Sequence, residues 1–221
     1  MLLYITRHGE STDNAVKKHI SVDAELTEYG LVCCRRLGER MASIKLDAII
    51  SSPLIRALST AHEVCIRQER EDLKVEPLND LMEIHTKPDY PGLAHEELCK
   101  RFPRLACFDG PVTPAGGPLC LGEEDDNAFM SRAYRVISYV KKRFPDDSKV
   151  LLVAHGSFNS RLVAAALGMG HPYGFNFSSA NTALTLIRYT EGKINLSFLN
   201  DTAHLYQEGG VIDELKGFPK I

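Results

Sequence analysis

The stretch MLLYITRHGE (residues 1–10) passes without a break from an apolar segment to Arg7 and His8. Its first five residues are all apolar or aromatic, which predicts a short buried strand at the start of the sequence. A buried strand fixes the direction of the side chains that follow it. The arginine and the histidine therefore mark a candidate functional site, provided that later parts of the chain bring partners to them.

Two later apolar runs also end in residues that are capable of catalysis. Residues 47–51 predict a short buried strand, and Arg56 follows in the first turn of the next helix. Residues 150–154 are apolar on both faces, as in a central parallel strand, and His155 comes next. Parallel strands open their following loops on the same edge of the sheet. The predicted pocket therefore contains Arg7, His8, Arg56 and His155.

Helices separate these strands. One is predicted from an N-cap at Thr27 to about Ile44, and the next has Ser52 as its cap and Pro53 at its first position. Further helices are predicted over 126–143 and 157–167, and a hairpin of strands over 184–189 and 194–198. The alternation predicts an α/β fold in three layers. Its sheet is doubly wound and mostly parallel, with an antiparallel edge strand.

The segment from about Ile84 to Glu124 breaks this pattern with six prolines and a Gly-Gly pair, leaving room for one helix at 93–102. Irregular chain of this length inside a domain is often a lid or a binding loop. We expect one domain over residues 1–221, with an irregular or helical cap insertion at about 85–125 that sets specificity.

The bulk composition is that of a globular protein, with 44% hydrophobic and 25% charged residues and a formal net charge of -3. This charge gives no reason to expect nucleic-acid or membrane partners. The six cysteines form no CxxC or metal-finger spacing, which predicts free thiols, no metal and a cytoplasmic location. The sequence does not indicate an oligomeric state.

Two guanidinium groups and two imidazoles around one point form an anion site that suits a tetrahedral phosphoryl group. A neutral imidazole attacks phosphorus when its second nitrogen is held as a donor, which gives a phosphohistidine. The cations then stabilise charge on the equatorial oxygens. Glu83, which lies between apolar neighbours just before the irregular segment, is the candidate acid for the leaving oxygen.

Six short motifs follow one another along the chain: R-H-G-E-S-T-D-N (7–14), L-T-E-Y-G (26–30), D-A-I-I-S-S-P-L-I-R-A-L-S-T-A (47–61), L-M-E (81–83), V-A-H-G (153–156) and N-T-A-L-T (181–185). With them the chain resembles the histidine phosphatase superfamily, also called the phosphoglycerate-mutase-like family. The resemblance covers most of the chain except about 85–125. The closing N-D-T-A-H-L (200–205) is similar to the tail of the small bacterial broad-specificity phosphatases of this family.

The resemblance implies His8 as the phosphorylated nucleophile and Glu83 as the proton donor, which later acts as base on water. It implies that Arg7, Arg56 and His155 bind the phosphoryl group, and that Asn14 and Ser157 line the substrate pocket. It also implies a single histidine phosphatase-like domain that uses no metal and no cofactor.

The leading hypothesis is a phosphomonoesterase for a small phosphorylated metabolite, since the tyrosine- and proline-rich insert of glycolytic mutases is missing. A phosphoglycerate mutase and a phosphoprotein-directed phosphatase or binding module are the alternatives, and a metallohydrolase is disfavoured. Basic residues that either bind a second anionic group of the substrate or form a solvated face are Lys87, Lys100, Arg101 and Arg104. Histidines expected to be structural or near the substrate are His85, His95 and His204.

Overall fold

The computed structural model describes residues 1–21, 23–84, 93–106, 124–170, 176–207 and 210–211. Its main sheet contains, in spatial order, β3 (Val75–Pro77), β2 (Ala48–Ser51), β4 (Lys149–Ala154), β1 (Leu2–Arg7), β5 (Leu184–Thr190) and β6 (Lys193–Asp201). The first four strands in this order run parallel, and β5 pairs antiparallel with both of its neighbours. The predicted α/β class is confirmed. The reversed strand is β5, and β6 lies outside it at the edge.

Helices cover both faces of this sheet. They are α1 (Thr12–Val16), α2 (Glu28–Met41), α3 (Ile55–Cys65), α4 (His95–Arg101), α5 (Asp126–Arg143) and α6 (Gly156–Ala166). Short 3₁₀ turns occupy Asn79–Leu81 and Ala203–Leu205, and a small second sheet pairs β7 (Tyr206–Gln207) with β8 (Gly210–Val211).

The core is divided by the sheet, because alternate residues of a strand point to opposite faces. In β1, Leu3 and Ile5 pack in the cluster that contains the buried residues of α5 and α6. Tyr4, between them, packs with the residues of α2 and α3 on the other face. This alternation makes β1 a fully covered central strand, as the apolar opening of the sequence predicts.

Helix starts follow the local capping chemistry. Thr27 accepts a hydrogen bond from the backbone of Gly30 over 2.9 Å and caps α2 as predicted, although α2 ends at Met41 and Ile44 lies beyond it. The predicted start of α3 was wrong. The helix begins at Ile55 and not at Pro53. The Asp23 carboxylate accepts the Ile55 N–H, whereas the Ser52 hydroxyl contacts a histidine ring and the N–H of Leu54.

Strand β3 was not predicted, because three residues that end in a proline carry no readable periodicity. Helix α4 lies within the predicted helix at 93–102. Most of the rest of the predicted insertion, residues 85–92 and 107–123, lies outside the described residues. Cys33, Cys34 and Cys65 are buried free thiols, as expected. No helix within the described ranges is long and apolar enough to cross a membrane.

Candidate active site

Three strand ends meet at one edge of the sheet. Arg7, the last residue of β1, pairs with Ala154 at the end of β4, and Ser51 of β2 pairs with Val153. The three strands therefore end side by side, and the residues that follow them start at the same edge of the sheet. The predicted convergence of the first, second and fourth strands is what the topology produces.

His8 is held rigidly and is only 3% exposed. Its backbone N–H donates to Ala154 over 3.0 Å, and its Nδ1 lies 2.7 Å from the carbonyl oxygen of Gly9. A carbonyl oxygen only accepts, so Nδ1 carries the proton and Nε2 keeps its lone pair. Burial, followed by the charges of Arg56 and Arg7, holds the pKa of His8 well below 6.5. The ring is therefore a neutral imidazole at pH 7.

His155 follows β4 and faces the ring of His8. The two ring centroids lie 5.0 Å apart, with the planes tilted by 57°. Nε2 of His155 lies 2.8 Å from the hydroxyl of Ser52, the residue that follows β2. This contact links the loop after β2 to the loop after β4 and fixes the orientation of the ring. His155 is also buried, with 1% of its surface exposed.

The Arg7 guanidinium lies against the start of α6. A side chain at Gly156 would bring its Cβ within 3.3 Å of Arg7 Cζ, so the glycine makes room for the arginine. Nη1 donates to the carbonyl of Ser179 over 3.0 Å, while Nε has no hydrogen-bond partner in the described part of the chain. Burial lowers the pKa of Arg7 and the nearby charge of Glu83 raises it.

Arg56 lies in the first turn of α3, with its Nη1 4.0 Å from Asp23 Oδ1. The same Asp23 oxygen accepts the backbone N–H of Ile55 over 2.7 Å, so one carboxylate orders the start of the helix and the arginine. Burial lowers the pKa of Arg56, and the charges of Asp23 and Glu83 raise it. Both arginines remain cations, since guanidinium does not lose its proton in proteins.

The Glu83 carboxylate is bound by three backbone N–H groups. Oε1 accepts from Ile84 and from Phe158, and Oε2 accepts from Ser157, each over 3.1 Å. Ser157 and Phe158 lie in the first turn of α6, so the carboxylate sits at the positive end of that helix. The structure thus brings Glu83 to the same edge as the histidines and arginines.

The two predicted pocket residues Asn14 and Ser157 also make structural hydrogen bonds. Asn14 closes the capping box of α1, and its Oδ1 accepts a hydrogen bond from Asn181 over 3.2 Å. Asn14 also lines an open pocket of about 420 Å³ beside Arg7, together with Lys17 and Lys18. Ser157 binds Glu83 through its backbone, and its side chain is exposed.

Several residues that support the site were not singled out in the sequence. Thr60 accepts the Gly9 N–H over 3.0 Å, and Asn181 donates to the backbone oxygen of His8 over 2.8 Å. Both residues belong to motifs quoted above, which was the available signal. Arg132 contacts the segment that carries Glu83, and no sequence pattern distinguished it from a surface arginine.

The remaining basic candidates are engaged by acidic side chains or by backbone carbonyls. Lys100 pairs with Glu96 at 2.9 Å, Arg101 pairs with Glu25, and Arg104 donates to a backbone carbonyl. These contacts favour the solvated-face interpretation. His85 and Lys87 lie outside the described residues, as does the side chain of His95. His204 is half-buried, and its Nε2 lies 3.2 Å from the hydroxyl of Thr182.

The chain is similar to known proteins over most of its length. Residues 3–202 match the model of the histidine phosphatase superfamily, branch 1. The chain is 27% identical to phosphoserine phosphatase 1 of Hydrogenobacter thermophilus, over 92% of this chain and 93% of that one. It is 32% identical to the probable phosphoglycerate mutase GpmB of Photorhabdus laumondii subsp. laumondii, over 76% and 75%. Among solved structures, a phosphoserine phosphatase of Entamoeba histolytica in complex with 3-phosphoglyceric acid is 25% identical, with a TM-score of 0.64 over 92% of this chain and 98% of that one.

Proposed function

The chain belongs to the histidine phosphatase superfamily, and on that premise we propose that it is a phosphomonoesterase of small phosphorylated metabolites that works through a phosphohistidine on His8. The observation that carries the proposal is the hydrogen bond from His8 Nδ1 to the Gly9 carbonyl. It leaves Nε2 as an unprotonated nucleophile beside two arginines and His155.

In the first step, Nε2 of His8 attacks phosphorus and the bond from phosphorus to the leaving oxygen breaks. The carboxyl group of Glu83 gives its proton to that oxygen, so the product leaves as an alcohol. In the second step, the Glu83 carboxylate takes a proton from water, which attacks phosphorus. The bond to Nε2 breaks, and inorganic phosphate is released.

The cations supply the electrostatic part of the catalysis. Arg7 and Arg56 are partly buried, held by neighbouring groups and placed next to the proposed nucleophile, so they meet the phosphoryl charge without reorganisation. His155 lies on the same side and donates to a phosphoryl oxygen when it is protonated at the nitrogen that faces the group. Asn14 lines the open pocket beside Arg7, and the backbone N–H of Ser157 binds the Glu83 carboxylate.

The test is phosphate release from phosphoserine, 3-phosphoglycerate and an aryl phosphate, measured for the wild type and for His8→Ala. We expect the variant to lose at least about 10³-fold in kcat. The control is His62→Ala, which changes a histidine of helix α3 and should keep its activity. A brief incubation with labelled substrate, quenched in alkali, should trap an acid-labile label on His8. Turnover that survives in His8→Ala would contradict the proposal.

The reaction as proposed needs no metal ion. The described residues hold no group of three or more metal-binding side chains. We expect activity to persist after treatment with a chelator, and loss that is restored by added metal would favour a metallohydrolase.

A mutase is the second candidate, favoured by the 32% identity to a probable phosphoglycerate mutase. A mutase returns the phosphoryl group of His8 to a second hydroxyl instead of to water. Stimulation by a bisphosphate and formation of an isomer without free phosphate would support it. A phosphoserine peptide in the same assay distinguishes a phosphoprotein-directed enzyme from one for small metabolites.

A further inference from the structure

Arg132 of α5 is completely buried, with an exposed side-chain fraction of 0%. Its Nε and Nη2 bind the two carboxylate oxygens of Glu124 over 2.8 and 2.6 Å. Burying an arginine and a glutamate together costs desolvation free energy, and apolar side chains of similar size would fill the same space without that cost. The pair therefore calls for a further role.

The guanidinium also binds the backbone that leads to Glu83. Nη1 donates to the carbonyl oxygens of Asp80 and Met82 over 2.9 and 2.6 Å, and Nη2 approaches the Glu83 carbonyl at 3.5 Å. With Glu124, these contacts occupy all five N–H groups of the side chain. Lysine has three donors at one point and cannot make this planar set.

The same guanidinium lies over the ring of Phe158, with its Cζ 4.2 Å from the ring centroid. Phe158 is the residue of α6 whose backbone N–H binds Glu83 Oε1. Arg132 thus touches both anchors of the Glu83 side chain, namely its own backbone and the helix end that holds its carboxylate. Within the described residues, Arg132 makes no hydrogen bond, ion pair or ring contact with His8, Arg7 or Arg56.

We propose that Arg132, oriented by Glu124, is the positioning residue that sets the reach of the Glu83 carboxyl group toward the leaving oxygen. The inference rests on the proposed function, in which Glu83 is the proton donor. A displacement of about 1 Å in a reacting group costs about 10²-fold in rate, so a buried clamp on this segment acts directly on proton transfer. The phosphoryl pocket would remain intact without it.

This role predicts a dependence on the leaving group. An alkyl phosphate such as phosphoserine releases a basic alkoxide and needs the proton from Glu83, whereas an aryl phosphate with an acidic phenol needs it little. Loss of correct positioning should therefore lower kcat/KM for the alkyl substrate far more than for the aryl substrate. Both values report the steps up to cleavage of the ester, so slow hydrolysis of the phosphohistidine does not hide the difference.

The experiment measures this alkyl-to-aryl ratio of kcat/KM for the wild type, Arg132→Met and Arg132→Lys. Glu83→Gln is the reference for loss of the acid, and the matched control is Arg135→Met, one turn further along α5. Arg135 is 57% exposed and binds the side chain of Asp80 and not the backbone. Both substrates are assayed on the same sample, so any unfolded fraction cancels from the ratio.

We expect Glu83→Gln to lower the ratio by about 10²-fold and both Arg132 variants to lower it by about tenfold or more. Arg135→Met should leave it unchanged. Combining Arg132→Lys with Glu83→Gln should lower the ratio no further than Glu83→Gln alone, because the arginine acts through the carboxyl group.

An equal loss on both substrates in both Arg132 variants would overturn the inference and leave the proposed function standing. A further fall of the ratio in the double variant would also overturn it. By contrast, a wild-type protein whose phosphate release does not depend on His8 would refute the proposed function itself, and this inference with it.

Discussion

The rings of His8 and His155 lie with their centroids 5.0 Å apart, and each ring is held by a different anchor. His8 is bound to the carbonyl of Gly9, next to it in sequence, whereas His155 is bound to Ser52, which arrives from another strand. The orientation of the first ring is therefore a local property of the chain. The orientation of the second depends on the tertiary fold.

Ser52→Ala should lower catalysis with little effect on the fold. Removing one hydrogen bond of ordinary strength from the ring costs about 1 kcal/mol, or roughly fivefold in kcat/KM for the proposed reaction. Ser51→Ala is the control, because that buried hydroxyl donates to the backbone oxygen of Ser52 and, within the described residues, contacts no histidine. Steady-state kinetics on an aryl phosphate gives kcat/KM for both variants. Equal effects of the two substitutions would contradict the assigned role of Ser52.

Thr60→Val should destabilise the loop that carries His8 and Gly9. The buried hydroxyl of Thr60 accepts the Gly9 N–H over 3.0 Å and donates to the Arg56 carbonyl over 2.7 Å. Valine keeps the shape but leaves the Gly9 N–H unsatisfied, which costs about 1–3 kcal/mol in the free energy of unfolding. Urea denaturation gives this value. Thr60→Ser retains the hydroxyl and should recover most of the loss.

Gly30→Ala should disturb the same region from the opposite side. A Cβ at Gly30 would lie 2.2 Å from the backbone oxygen of Glu10, so the chain that follows His8 would have to move. We expect a loss of about 1–3 kcal/mol in stability and a fall in activity. A Cβ at Gly170 meets no atom within 4 Å, so Gly170→Ala is the control. Wild-type thermal stability in Gly30→Ala would show that the contact is not as tight as described.

His204 should make stability depend on pH. Burial, followed by the charge of Arg40, lowers the pKa of His204 from 6.5 to about 4, against a smaller opposing effect of Asp201. Between these two values the unfolded chain binds more protons than the folded one. The free energy of unfolding therefore falls as the pH falls through this window, by up to about 1.4 kcal/mol per pH unit, and the contribution is constant above pH 6.5.

His204→Gln removes this group while retaining a polar atom that can reach Thr182. The slope of unfolding free energy against pH between 6.5 and 4 should be smaller in the variant than in the wild type. His8 and His62, whose pKa values are also lowered by burial, remain in both proteins, so their contributions cancel from the comparison. Identical slopes would show that the pKa of His204 is not lowered.

The sequence alone predicted the elements that depend on local pattern. β1 and β4 are continuous apolar runs, α5 has a clear helical stripe, and Thr27 is a capping residue at a helix start. The convergence of Arg7, His8, Arg56 and His155 followed from parallel strands whose loops share one edge, without any knowledge of side-chain contacts.

What escaped prediction depends on contacts between distant segments. The Ser52 hydroxyl was assigned to a helix cap, because its competing partner, His155, lies 103 residues away. Arg132 resembles any charged residue of an amphipathic helix until the 80–83 backbone is packed against it. Such pairings have no periodicity that a single sequence displays.

The central position of β1 has a consequence for the synthesis of the protein. This strand is made well before its two hydrogen-bonding neighbours, residues 149–154 and 184–190. Its backbone therefore cannot form both sets of sheet hydrogen bonds, and its apolar side chains cannot be covered, until nearly all of the described chain has been made. Pairing between strands so far apart in sequence is slow, and it leaves aggregation-prone apolar surface exposed until it is complete. The strand that leads directly to His8 therefore stays unpaired through much of translation, when a chaperone would protect it.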